Sequence, residues 1–250
     1  MGDASYRYPR RRVRRLLMHW LARAAFTVLT DMRVDGIENL PARGPFIMVG
    51  NHFSFIDPVA FVSVVRWPLE FVGGAEFPHA PKIVSFIPRM WGYYPLYRGT
   101  ASREALKAAE TILDQKGVLG IFPEGGNWAE VLRPARPGTA YLAARTGVPI
   151  LPVGLSGFTR VFPLRLGRRA KVQIRIGELF GPFQAQGRGR ERRESLDQIG
   201  HEIMAKIAEL LPPEERGHYS DDPAIRAAAQ GTEIYPWADR VEGQVIGQVH

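Results

Sequence analysis

Pro45-Phe46-Ile47-Met48-Val49-Gly50-Asn51-His52-Phe53-Ser54-Phe55-Ile56-Asp57-Pro58 carries three signals in one stretch. Its first six residues are a continuous apolar run of the kind that forms a strand buried on both faces of a sheet. Asp57-Pro58 reads as a helix entrance, with Asp57 as N-cap, Pro58 as the first helical residue and an apolar helix over 59–65 behind them. The loop between is where α/β proteins present working side chains. Asn51, His52 and Asp57 are the candidate working residues placed there. On a continuous helix His52 and Asp57 would lie about 140° apart, so a loop must bring them together. Once together, the carboxylate can accept one imidazole N–H, fix the tautomer and leave the other ring nitrogen as a base.

Working outward, strands are predicted at 32–36, 69–73, 93–97, 118–122, 150–154 and 171–176, and helices at 102–115, 138–145 and 193–211. Strands alternating with helices predict an α/β fold, a sheet flanked by helices. No repeat is visible. The chain divides into a basic amphipathic segment at 1–31, a domain at 32–211 with a polar connector at 187–193, and a C-terminal tail at 212–250. The tail has weak periodicity, is expected to be extended, packed on the domain or partly disordered, and is expected to carry no chemistry.

The charge is uneven. Of the +8 formal charge, +6 lies in the first thirty residues, where seven Arg face one Asp. The run Arg7, Arg10, Arg11, Arg12, Arg14, Arg15 leads into Leu16, Leu17, Trp20, Leu21 and Phe26. His19 and Arg23 interrupt it, so it is too short and too polar to span a bilayer, which takes about 20 apolar residues. Instead it is expected to lie in the interface, arginines against anionic lipid; the plainer reading is a core-docked helix after a solvated tail. Arg23 inside Ala22-Arg23-Ala24 argues against a cleaved export signal. No nucleic-acid signature accompanies the arginines, so no nucleic-acid partner is expected.

Composition removes other chemistries. With no cysteine in 250 residues, disulfides, thiol nucleophiles and cysteine metal sites are excluded. No Gly-x-Ser-x-Gly elbow, His-Glu-x-x-His pair, Walker loop or dinucleotide fingerprint is present. His19, His79, His201, His218 and His250 are too scattered to suggest a metal site.

Three further blocks follow in order: Gly92-Tyr93-Tyr94-Pro95-Leu96-Tyr97-Arg98-Gly99, then Phe122-Pro123-Glu124-Gly125, then Val148-Pro149-Ile150-Leu151-Pro152-Val153. With Asn51-His52-x4-Asp57, this set resembles the glycerolipid acyltransferases related to 1-acylglycerol-3-phosphate acyltransferase, over about residues 30–160. The resemblance implies a mixed β-sheet flanked by helices, with an N-terminal membrane-interface helix. It implies His52 as general base and Asp57 as its orienter, with direct attack of the acceptor hydroxyl on the thioester of acyl-CoA or acyl-carrier protein. It also implies Arg98 on the acceptor's phosphate, whose geometry an Arg fork matches, and Glu124 and Gly125 lining the acceptor site. The implied acceptor is a lysophospholipid, foremost 1-acylglycerol-3-phosphate. No cofactor or metal is called for, and the expected location is the cytoplasmic face of the membrane, as a peripheral protein.

The departures concern the acceptor. Gly126-Asn127-Trp128 stands where relatives carry Thr-Arg-Ser, Tyr97 where many carry Asp, and Arg136 near a usual Lys. Arg136, with Arg133 beside it, is expected to replace the missing phosphate ligand. Alternatively the acceptor is another lyso-lipid, amino-acid-containing or glycosylated, with Trp128 stacked on its head group. The block at 148–153 is expected to be a buried strand bracketed by its prolines. Aromatics between Phe53 and Tyr94 could wall an acyl groove but read more simply as core, and no sequence rule separates the two. Two other classes stand beside transfer: a hydrolase, which lacks a nucleophile, and a non-catalytic scaffold of the same fold, supported only by the altered residues 126–128.

Overall fold

The apolar run becomes β2 (Phe46–Gly50), every residue of which is buried. In the computed structural model, which describes residues 6–74, 86, 88, 90–96, 103–164 and 168–234, β2 lies at the centre of a seven-stranded sheet. The other strands are β1 (Thr30–Asp35), β3 (Glu70–Gly74), β4 (Tyr94–Leu96), β5 (Val118–Ile121), β6 (Ile150–Ser156) and β7 (Ala170–Ile176). Their spatial order is β1-β7-β6-β2-β5-β3-β4. β6, β2, β5, β3 and β4 run parallel, β7 is antiparallel to β6, and β1 is parallel to β7. The sheet is therefore mixed.

Alternation along β2 feeds two cores. Phe46 and Met48 join one with Phe26, Phe61 and Leu151; Ile47 and Val49 join the other with Ile112, Leu119 and Ile203. The first is covered by α1 (Arg12–Leu29) and α2 (Asp57–Val64). The second is covered by α3 (Arg103–Asp114), α4 (Pro137–Thr146) and α5 (Gly189–Glu209). Helices on both faces explain why the central parallel strands are apolar throughout.

Four expectations change on the structure. Pro152 does not end β6 but lies inside it; the strand tolerates it because pairing with β7 begins only at Val153. α5 starts at Gly189, ahead of residue 193, because its first two turns are polar and the apolar face begins only near Leu196 and Ile199. The C-terminal segment packs on the domain, as one expectation had it, but is not extended: it forms two 3-10 turns (Pro213–Glu215 and Gly217–Tyr219) and α6 (Pro223–Ala228). Leu132 N–H donates to Glu215 O (2.9 Å), and His218 N–H donates to Leu132 O (3.0 Å). Residues 235–250 lie outside the described ones.

The fourth change concerns the arginines. Arg15 is buried, and with Arg10 it clamps the buried Glu70 at the start of β3; Arg15 Nη2 and Arg10 Nη2 reach Glu70 Oε2 at 2.8 and 2.7 Å. Arg15 also donates to the carbonyls of Trp91 and Gly92, and Arg10 lies over the Tyr94 ring. These two charges are spent inside the protein. α1 docks by Arg15, Ala22 and Phe26 and leaves Val13, Leu16, Leu17, Trp20, Leu21 and Val28 exposed. No helix among the described residues is long and apolar enough to cross a membrane.

Candidate active site

β2 ends at Gly50, where a Cβ would lie 2.6 Å from the Phe61 ring, so the strand end can pack this closely against α2 only as glycine. Asn51 follows and behaves as an extra sheet rung: its Nδ2 donates to Leu155 O (2.8 Å) and its Oδ1 accepts Leu155 N–H (2.7 Å). The chain then turns away from the sheet. α2 begins at Asp57 itself, with Ile56 as N-cap and no side-chain cap bond. Asp57 is therefore not the cap the sequence suggests. Its side chain turns back into the loop, where Oδ2 accepts the N–H groups of Phe53 (2.8 Å) and Ser54 (2.7 Å).

The same oxygen lies 3.0 Å from His52 Nδ1. The backbone bonds hold the carboxylate, and the carboxylate holds the ring. His52 stacks on Phe122, with centroids 4.4 Å apart and planes 24° apart, and its side chain is 17% exposed against 1% for Asp57. Among the described residues no group bonds to Nε2, the nitrogen left for a substrate proton. Burial pushes the Asp57 carboxyl above the ordinary carboxylate range, opposed by the imidazole and the two amide donors.

Glu124 is brought to the same place from the end of β5. Sequence reasoning has it lining the acceptor site, but it is fully buried. Its Oε1 accepts the His52 backbone N–H at 2.7 Å, and its Oε2 accepts from Arg133 Nε at 2.9 Å. Both oxygens are occupied, so Glu124 acts behind the histidine. Burial pushes its pKa up while the Arg133 guanidinium pulls it down. Arg133 is likewise buried, bonded also to Gly126 O, and cannot serve as an exposed phosphate ligand. Trp128 lies over its guanidinium, 3.4 Å from Arg133 Cζ to the ring centroid, and donates Nε1–H to Thr232 O (3.3 Å). The altered residues 126–128 are thus used to bury Arg133 and to hold the C-terminal segment.

Gly125 is exposed at φ +76°, with the Arg136 side chain so close that a Cβ would lie 2.8 Å from its Cδ. Arg136 N–H donates to Pro123 O (2.8 Å), which fixes that residue beside the turn. His52, Asp57, Glu124, Gly125 and Arg136 therefore gather at the ends of β2 and β5. Arg98 lies outside the described residues. The Glu124–Arg133 pair was missed from the sequence; its only signal was a buried-type carboxylate with an arginine nine residues later.

A family model described as acyltransferase matches residues 31–156. The chain belongs to the acyltransferase family. It is 29% identical over 160 residues to a chloroplastic 1-acyl-sn-glycerol-3-phosphate acyltransferase of Brassica napus, covering 61% of this chain and 46% of that one. A 1-acyl-sn-glycerol-3-phosphate acyltransferase of Bacillus subtilis is 23% identical, covering 72% of this chain and 91% of that one. The crystal structure of the 1-acyl-sn-glycerophosphate acyltransferase from Thermotoga maritima matches with a TM-score of 0.53 at 25% identity, over 76% of this chain and 78% of that one. This acyltransferase-family chain spans about half the length of the plant relatives it matches. The family match ends at residue 156, where β6 ends, so the C-terminal segment that bonds to Leu132 and Trp128 lies outside it.

Proposed function

We propose that this protein transfers a fatty acyl group from acyl-CoA or acyl-carrier protein to the free hydroxyl of 1-acylglycerol-3-phosphate, giving phosphatidic acid. The observation that carries the reading is the 3.0 Å contact between His52 Nδ1 and a buried Asp57 carboxylate that two amides hold in place. His52 Nε2 takes the proton of the acceptor hydroxyl as its oxygen attacks the thioester carbon. The tetrahedral adduct expels the thiolate, and the imidazolium returns the proton to sulfur. No acyl-enzyme forms and no cofactor is consumed. A positioned base of this kind contributes about 10²–10⁴ in rate.

Arg136 beside the Gly125 turn is the proposed phosphate partner from this side of the site, and Arg98 its counterpart by family resemblance. Trp128 is occupied by Arg133 and Thr232, which favours a phosphate acceptor over one whose head group needs a stacking partner. The apolar row Val13, Leu16, Leu17, Trp20 and Leu21 on α1, with Arg12 and Arg14 among it, supports seating on an anionic membrane surface at its cytoplasmic face.

The test is thiol release from palmitoyl-CoA or acyl-carrier protein in the presence of anionic vesicles, with and without 1-acylglycerol-3-phosphate, for wild type and His52→Ala. The expected result is acceptor-dependent release with phosphatidic acid as product, lost in the variant. If neither donor gives acceptor-dependent product, the reading of the acceptor is wrong, and a panel of other lyso-lipids decides between another acceptor and a scaffold.

A further inference from the structure

Asp57 has two oxygens, and the dyad uses one. Oδ2 takes the imidazole and two amides, whereas Oδ1 is buried without a hydrogen-bond partner among the described residues. Asp57 also lines a cavity of about 230 Å³, whose wall includes Phe53, Glu130, Arg160, Glu214 and Glu215. Glu215 reaches it from the 3-10 turn after α5, the segment in which the sequence suggested no chemistry. Its position is fixed twice: its backbone carbonyl accepts Leu132 N–H (2.9 Å), and its Oε1 accepts Ser156 Oγ–H (2.8 Å). Like Asp57 Oδ1, Glu215 Oε2 is buried without a partner among the described residues.

Two buried acceptor oxygens, on two residues that line one cavity, are costly unless a donor serves them, about 1–3 kcal/mol for each unsatisfied group. Two carboxyl groups that share a site supply one by retaining a proton, as acid pairs do. We propose that Glu215 is a positioning residue of the catalytic dyad, its Oε2–H directed across the cavity to Asp57 Oδ1 so that the Asp57 carboxylate is held on both edges. A relaying water, whose share of volume is about 30 Å³, fits the space.

The surroundings agree. Burial pushes the Glu215 carboxyl up, and the charges of Glu214 and Asp57 push the same way, against Ser156 and Arg160. Glu130 adds a further acidic group on the cavity wall, and Arg216, next in the chain, is turned away to Leu211 O. Arg160 is the basic group among the cavity's lining residues.

The proposal rests on the His52–Asp57 reading, and the test separates the two. Acceptor-dependent thiol release is followed against pH for wild type, Glu215→Ala, Glu215→Gln and His52→Ala. Glu215→Ala is expected to lower kcat by about 10- to 100-fold, the scale for losing a partner that orients a working group, with KM for the acceptor unchanged. Glu215→Gln, whose amide still donates, is expected to recover most of that loss and to lack the alkaline fall that Glu215 ionisation gives the wild type. If His52→Ala is inactive while both Glu215 variants keep wild-type kcat and pH profile, this inference is overturned and the dyad stands. If His52→Ala keeps its activity, the dyad reading falls first. Should Glu215→Ala fail to fold, Glu215→Gln alone decides, because a wild-type alkaline fall in that variant contradicts the proposal.

Discussion

Two buried glutamates, each held by arginine, sit at the start of one strand and just past the end of its neighbour, and do different work. Glu70 opens β3 and is clamped by Arg10 and Arg15, both from the N-terminal segment. Glu124 follows β5 and is divided between Arg133 and the backbone of His52. The first pair fastens a helix with an exposed apolar row to the sheet. The second fastens the loop that carries His52, the proposed base. In both, burial makes the pair expensive to break, because removing one partner leaves a buried charge without compensation. The difference lies in what hangs from each carboxylate: a docking helix in one case, the loop of the proposed base in the other.

Glu124→Ala is expected to have the largest effect, costing about 3–5 kcal/mol of stability together with activity, since the His52 amide loses its acceptor. Denaturant midpoints and assays on folded protein measure both; a loss under about 1 kcal/mol, the scale of an exposed pair, breaks the comparison. Glu70→Ala is expected to cost a similar order of stability through Arg15, somewhat relieved because Arg10 is a quarter exposed and can turn to water. The folded fraction should keep its kcat but bind anionic vesicles less well as α1 loosens. If that fraction has lost its turnover, Glu70 belongs to the active site and the distinction fails.

Acid separates the proposed dyad from the fold around it. The folded-state pKa of Asp57 is raised, so its contribution to stability is full below the ordinary carboxyl value and is lost as pH rises through the raised one. Acidification from neutrality therefore protonates Asp57 without destabilising the fold at that residue, while removing the acceptor for the His52 N–H. Turnover is expected to fall above the pH range of ordinary carboxylates while circular dichroism still reports the native fold; a parallel loss of both signals contradicts this. The smallest effect belongs to Trp128→Phe, which keeps a ring over Arg133 and loses the bond to Thr232, worth about 1 kcal/mol.

What could be read from the sequence follows a physical divide. β2 was legible because five adjacent apolar residues leave little alternative to a strand covered on both faces. The alternation of strands and helices was legible from the spacing of apolar runs and helix signals, and the loop between His52 and Asp57 because helical spacing forbids their contact. What escaped depends on partners far apart in the chain. Arg10 and Arg15 look like members of a solvated run until Glu70 is placed between them. Glu124 looks like a substrate ligand until its two oxygens are found occupied. The turn at Glu215 has no periodicity of its own, and backbone bonds to Leu132 hold it in place. A lone Glu at the start of the apolar stretch Glu70-Phe71-Val72 was a signal that went unused, since such a carboxylate needs a cation nearby.

The most direct measurement is the turnover of Asp57→Asn with 1-acylglycerol-3-phosphate and an acyl thioester, on protein shown to be folded. An amide at this position holds the imidazole in the wrong tautomer, and in a comparable triad that change lowers kcat by about 10⁴. The expected result is a loss of that order with the acceptor's KM little changed. Turnover within about tenfold of wild type, the low end of what losing an orienting partner costs, would contradict the assignment of Asp57 as the group that makes His52 a base.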